Sequence, residues 1–197
     1  LLFLIGTTCG ILTNLHLHPD ERRLDALLRQ ADEQMRTALR ALAEAADARN
    51  PLILLGETLR QADECAAKNA ENSLTDVPTR EIHYINMRRQ QRRILLQVTQ
   101  DAQKVQEHPP QETEVRALIG RIFAEYDREN DCTSLLSALH DLLAEMQRQP
   151  LPATRGEFED RALLYVLLRR MEDFLLLKRE FYETYGFEIN HQLERKS

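Results

Sequence analysis

Leu24, Leu27, Leu28, Ala31, Met35, Ala38, Leu39 and Leu42 recur at the spacing of an α-helix. At 100° per residue all eight fall in a stripe about 120° wide, the width of one buried helix face. A strand would scatter the same residues over both of its faces. The chain is thus committed to packing helix against helix. Its punctuation agrees: 6 Gly and 7 Pro in 197 residues leave too few turns for an α/β sheet of this length. The longest strand-like run, LLYVLL, sits inside a longer helical pattern. The expected fold is all-α, an antiparallel up-and-down bundle of long helices joined by short loops.

Pro19 predicts the start of the striped helix, with Asp20 and Glu21 in its first turn, and the pattern carries it to about Arg49. Asn50 and Pro51 predict the next start, as cap and first helical residue. Thr79 predicts a third helix, stopped near His108 by HPP. A fourth is expected from about Gln111 to Arg128 and a fifth from Asp131 to Gln149. In PLPATRGEFED, two prolines break the chain and Thr154 and Glu157 form a T-x-x-E capping box. The sixth helix that follows carries Phe158, Leu163, Leu164, Val166, Leu167, Leu168, Phe174, Leu175, Leu176 and Phe181. These occupy nearly every side of a wheel, which predicts a central helix buried on more than one face.

No catalytic constellation emerges. A di-iron bundle needs two Glu-x-x-His motifs and two further glutamates; one such motif exists, Glu188 to His191. His16, His18 and Asp20 are close enough in sequence to ligate a metal, but read more simply as a polar collar. Ser73, Ser134 and Ser137 lack a strained elbow, and no glycine cluster could cradle a phosphate. Neither an enzyme, a resident metal nor a cofactor is expected. A net charge of −6 argues against nucleic acid as a partner. Cys9, Cys65 and Cys132 have neither disulfide nor zinc spacing and read as small buried residues of a reducing compartment.

The densest charge run is MRRQQRR, from Met87 to Arg93. Arg88, Arg89, Arg92 and Arg93 span about 140° of one side of the wheel, opposite Tyr84, Met87, Gln91, Ile94, Leu95, Val98, Ala102 and Val105. Such a face is ordinarily solvated and paired with acidic neighbours. Arg88 stands at the border and is placed to reach inward.

The opening stretch, Leu1 to Leu17, is apolar but holds Gly6, Thr7, Thr8, Gly10, Thr13 and Asn14, small and hydroxylated residues suited to close packing in a bilayer. It is shorter than the roughly 20 residues of a full span and lacks the basic flank and cleavage site of a signal peptide. It reads as the C-terminal end of a membrane-spanning helix, with Arg22, Arg23, Arg29 and Arg36 placing the following helices in the cytoplasm. The expected division is 1–18 for this lead-in and 19–197 for the bundle.

LIGTTCGILTNLHLHPDERRL, NAENSL, YINMRRQQ and PLPATRGEFEDRALLYVLLRRMEDFLLLKREF together resemble the C-terminal region of the bacterial aromatic acid exporter (fusaric acid resistance-like) family. The resemblance covers nearly the whole chain. It implies a cytoplasmic helical domain attached to an N-terminal permease in the inner membrane, with a non-catalytic role in structure, regulation or assembly. The implied partners are that permease and the membrane, with a second copy of the chain and aromatic carboxylates as further candidates. As an alternative the bundle would sense an aromatic acid, which needs an apolar crevice with a convergent cation. Tyr84, Arg88 and Arg161 are the candidate ligand-binding residues. A soluble bundle enzyme is the third and least supported reading.

Overall fold

The computed structural model describes residues 2–72, 79–127 and 130–194, with side chains over 22–70, 80–127 and 130–186. Among them are six helices: α1 (Leu2–Ala43), α2 (Arg49–Asn72), α3 (Thr79–Ala102), α4 (Pro110–Glu125), α5 (Thr133–Arg148) and α6 (Arg155–Glu194). The all-α class is as expected, and the described residues contain no strand.

Helix α1 departs from expectation at both ends. It does not begin at Pro19 but runs through it without a break, from Leu2. A proline within a helix gives up one backbone bond, and here the helix continues on both sides. At the other end α1 stops at Ala43, short of Arg49. Ala45 takes φ 59°, and the Ala46 N–H reaches back to the Ala41 carbonyl at 2.8 Å. That is a Schellman turn, with alanine where glycine is usual. Helix α2 then starts one residue before Asn50: Asp47 accepts the Arg49 N–H at 2.9 Å, so the capping oxygen comes from Asp47 instead.

All eight stripe residues of α1 are buried. They face α2, α3 and α4. Arg116 donates to the Leu42 carbonyl and Arg36 to the Tyr126 carbonyl, which sets α4 antiparallel to α1. Gln91 of α3 meets Phe174 of α6, and Asp101 meets Arg170, which sets α3 antiparallel to α6. Helices α1, α4, α6 and α3 therefore ring a common core. Helix α2 packs on α1 and α3, and α5 on α4 and α6.

The wheel of α6 also needs correcting. Leu164, Leu167, Leu168, Met171, Phe174 and Leu175 are buried, but Phe158, Tyr165, Val166 and Leu176 face outward. The buried residues fall in one stripe about 120° wide, which faces α3, α4 and α5, and the rest of the circumference is open. Its apolar circumference therefore overstates its burial.

Candidate functional site between α1, α3 and α6

Among the described residues Arg88 is the largest fully buried side chain, 1% exposed. A lone guanidinium in such a place is costly unless it is paired and hydrogen-bonded. Its position at the edge of the apolar face of α3 lets it turn inward to four partners. Nε and Nη2 donate to Asp32 Oδ1 of α1 at 3.0 and 2.7 Å. They also donate to Tyr84 Oη at 3.1 and 2.6 Å. Nη1 reaches Gln91 Oε1 at 2.9 Å and Tyr126 Oη. The guanidinium carbon lies 4.8 Å from the Tyr84 ring centre and 5.0 Å from that of Tyr126.

The partners are themselves tied down. Tyr84 donates to Asp32, Tyr126 donates to Gln91 at 2.7 Å, and Gln91 donates to the Phe174 carbonyl of α6 at 2.9 Å. Burial works against the charge on Arg88, but Tyr126, Tyr84 and Asp32 outweigh it and hold its pKa above the ordinary value. Burial pushes the Tyr126 hydroxyl up, so Tyr126 stays neutral. Lys178 Nζ stands 5.0 Å from the centre of the Tyr126 ring and donates to the Asn130 carbonyl. Burial lowers its pKa and raises that of Cys132 nearby. Cys132 and Cys65 are buried; Cys9, His16, His18, Asp20, Glu188 and His191 lie outside the described side chains.

Two of the three residues singled out from sequence therefore meet. Tyr84 and Arg88 converge on Asp32. Arg161 does not join them: it precedes Phe174 by thirteen residues, about 20 Å along α6. There it bonds Glu157 at 2.5 Å and the Pro150 carbonyl at 2.7 Å. The remaining residues of the cluster, Asp32, Gln91, Tyr126 and Lys178, were not legible as a site. The nearest signal for Asp32 is a carboxylate flanked by stripe residues Ala31 and Met35.

Beside the cluster, an open groove of about 330 Å³ runs between α3 and α6. His83, Asn86, Met87 and Gln90 line one wall at helical spacing, and Leu177, Glu180, Phe181, Thr184 and Tyr185 the other. Phe181 and Tyr185 stand with ring centres 4.9 Å apart, and His83 Nδ1 bonds Tyr185 Oη. Phe181 also meets Tyr84 edge to face at 5.3 Å, so the groove and the buried arginine share a wall.

The PLPATRGEFED segment has a structural role. Thr154 Oγ1 accepts the Glu157 N–H at 3.0 Å, the N-cap half of the box, and Glu157 reaches back to accept the Ala153 N–H at 2.7 Å, one residue ahead of the cap. Asp160, buried, takes the N–H groups of Gln106 and Glu107 at 3.0 and 2.6 Å. Glu107 in turn accepts from Thr154 at 2.8 Å. It lies so close over Gly156 that an added Cβ there would stand 2.1 Å from its carboxylate. The motif fastens the α3–α4 loop to the start of α6.

A family model described as "Putative aromatic acid exporter C-terminal domain" matches residues 15–179. Among curated proteins, the "Uncharacterized protein YqjA" of Bacillus subtilis (strain 168) is 24% identical over 203 residues. That match covers 91% of this chain and 58% of the relative, so the chain spans little more than half of that protein's length. A solved structure, described as "Crystal structure of putative membrane protein from Clostridium difficile 630", superposes with a TM-score of 0.74 at 23% identity, over 82% of this chain and 98% of that one. At this identity the likeness carries the fold.

Proposed function

The chain belongs to the family of aromatic acid exporter C-terminal domains, and from that premise we propose that it is a non-catalytic accessory domain coupling a bacterial inner-membrane permease to the cytoplasm. The observation that carries this reading is the continuity of α1. Its C-terminal half is packed by α2, α3 and α4. Its N-terminal half, over the apolar sequence LFLIGTTCGILTNL from Leu2, belongs to the same unbroken helix. No helix among the described residues is long and apolar enough to cross a membrane; the proposal takes the opening stretch as the inner end of a span. Arg22 and Arg23 are exposed, and with Arg29 and Arg36 they support the cytoplasmic side. A rigid helix shared by both parts passes displacement of one to the other.

The test is to insert Gly-Gly-Ser-Gly between Glu21 and Arg22 of the intact gene product and measure efflux of aromatic acids. Efflux should fall while membrane insertion and protein level hold. Unchanged efflux would overturn the coupling role.

A second reading has the bundle sense aromatic acids. The convergence of Arg88 with the ring faces of Tyr84 and Tyr126 favours it. A ligand carboxylate would have to take the place of Asp32 on the guanidinium. Calorimetry with benzoate and salicylate should then give heat with Asp32→Ala and less with the wild type; no heat with either protein sinks this reading.

A further inference from the structure

We propose that the groove between α3 and α6 binds a small organic cation, an amine or quaternary ammonium carrying one apolar ring. The site is distinct from the Arg88 cluster and independent of the coupling role. Its size, about 330 Å³, is at the lower end of the range for small-molecule sites and suits a single ring with one polar arm.

The lining sets the charge of the occupant. Among the described residues that line the groove, Glu180 is the one carboxylate and there is no arginine or lysine. Arg88 is sealed behind Tyr84 and engaged by Asp32, and Arg89, which donates to the lining Asn86 at 3.4 Å, is paired with Asp63 at 2.9 Å. An aromatic carboxylate entering the groove would meet Glu180, while the nearby arginines are already paired with Asp32 and Asp63. A cation meets the reverse. The rings of Phe181 and Tyr185 stand 4.9 Å apart, tilted by 38°; a ring face turned to the groove attracts an ammonium. Glu180, exposed one residue before Phe181, supplies the counter-charge. His83 bonds the Tyr185 hydroxyl and so fixes that ring. Met87 and Leu177 give the ligand ring an apolar floor, and Asn86, Gln90 and Thr184 supply polar contacts at the margin.

The probe is benzyltrimethylammonium, titrated into this chain with the Met87 methyl signal followed by NMR. A saturable shift is expected, with Kd on the order of a millimolar for about a dozen heavy atoms in an open groove. Sodium benzoate over the same range should give no saturable shift. Glu180→Gln, a change at an exposed position, should weaken binding about fivefold without unfolding the protein. Phe181→Leu, which keeps the bulk and removes the ring, should abolish the preference for the cation over its neutral isostere neopentylbenzene. Absence of saturation, benzoate binding as tight as the cation, or a Glu180→Gln variant that binds like the wild type would each overturn the proposal.

Discussion

Arg88 and Asp32 form a charge pair of unequal burial: the arginine side chain is 2% exposed and the aspartate 19%. Removing the aspartate leaves a buried guanidinium without its counter-ion. Asp32→Ala is expected to cost about 3–5 kcal/mol in urea unfolding, whereas Asp32→Leu combined with Arg88→Met should recover most of that loss. Glu112 sets a different test. Burial would raise its carboxyl, but His108 and Arg116 outweigh burial and leave it below its ordinary value. The unfolded chain therefore takes up this proton first as pH falls. The stabilisation is complete above the unfolded value of roughly 4.3 and is lost as pH drops through the lower folded one. Glu112→Gln should lower the urea midpoint at pH 7 and flatten its decline between pH 5 and 3. The inward reach of Arg88 was legible, because it stands where charged and apolar faces of one helix meet. Its partner was not: Asp32 lies 56 residues away, and a single sequence does not say which helix borders which.

Within the elements, the apolar period fixed the buried face of α1 without error, while the ends were misplaced where local turns override it. Leu42 is the last stripe residue, and the left-handed residue at Ala45 ends the helix. An alanine there carries a steric cost that glycine avoids. Ala45→Gly is expected to raise stability by about 0.5–1 kcal/mol, read as an upward shift of the thermal midpoint with the circular dichroism spectrum unchanged. The capping box at α6 was legible because its two residues are three apart and bond each other. The Asp160 contacts in the same motif were not, because their donors come from Gln106 and Glu107 on another loop. The outward Phe158, Tyr165, Val166 and Leu176 show the limit of a wheel: it counts apolar residues around one axis and cannot count the neighbours that cover them.

At the scale of the whole molecule, the packing repeats itself. Exchanging α1 with α4, α2 with α5 and α3 with α6 maps the set of touching helix pairs onto itself. The seams are α1 against α4 and α3 against α6, and the Arg88 cluster crosses between the halves, drawing Asp32, Tyr84 and Gln91 from one and Tyr126 and Phe174 from the other. Neither half covers its own apolar face. Fragments 1–105 and 109–197 should each be molten alone and recover a single cooperative thermal transition when mixed, measured by circular dichroism. The unbroken α1 has one more consequence. A helix transmits azimuth as well as distance: one residue added between Arg22 and Arg23 turns everything ahead of it by about 100°, and seven bring it back to within about 20°. For a domain that acts through α1, efflux across a series of one to seven inserted alanines should rise and fall with helical phase, as a crank does, and not decline with length as a tether would.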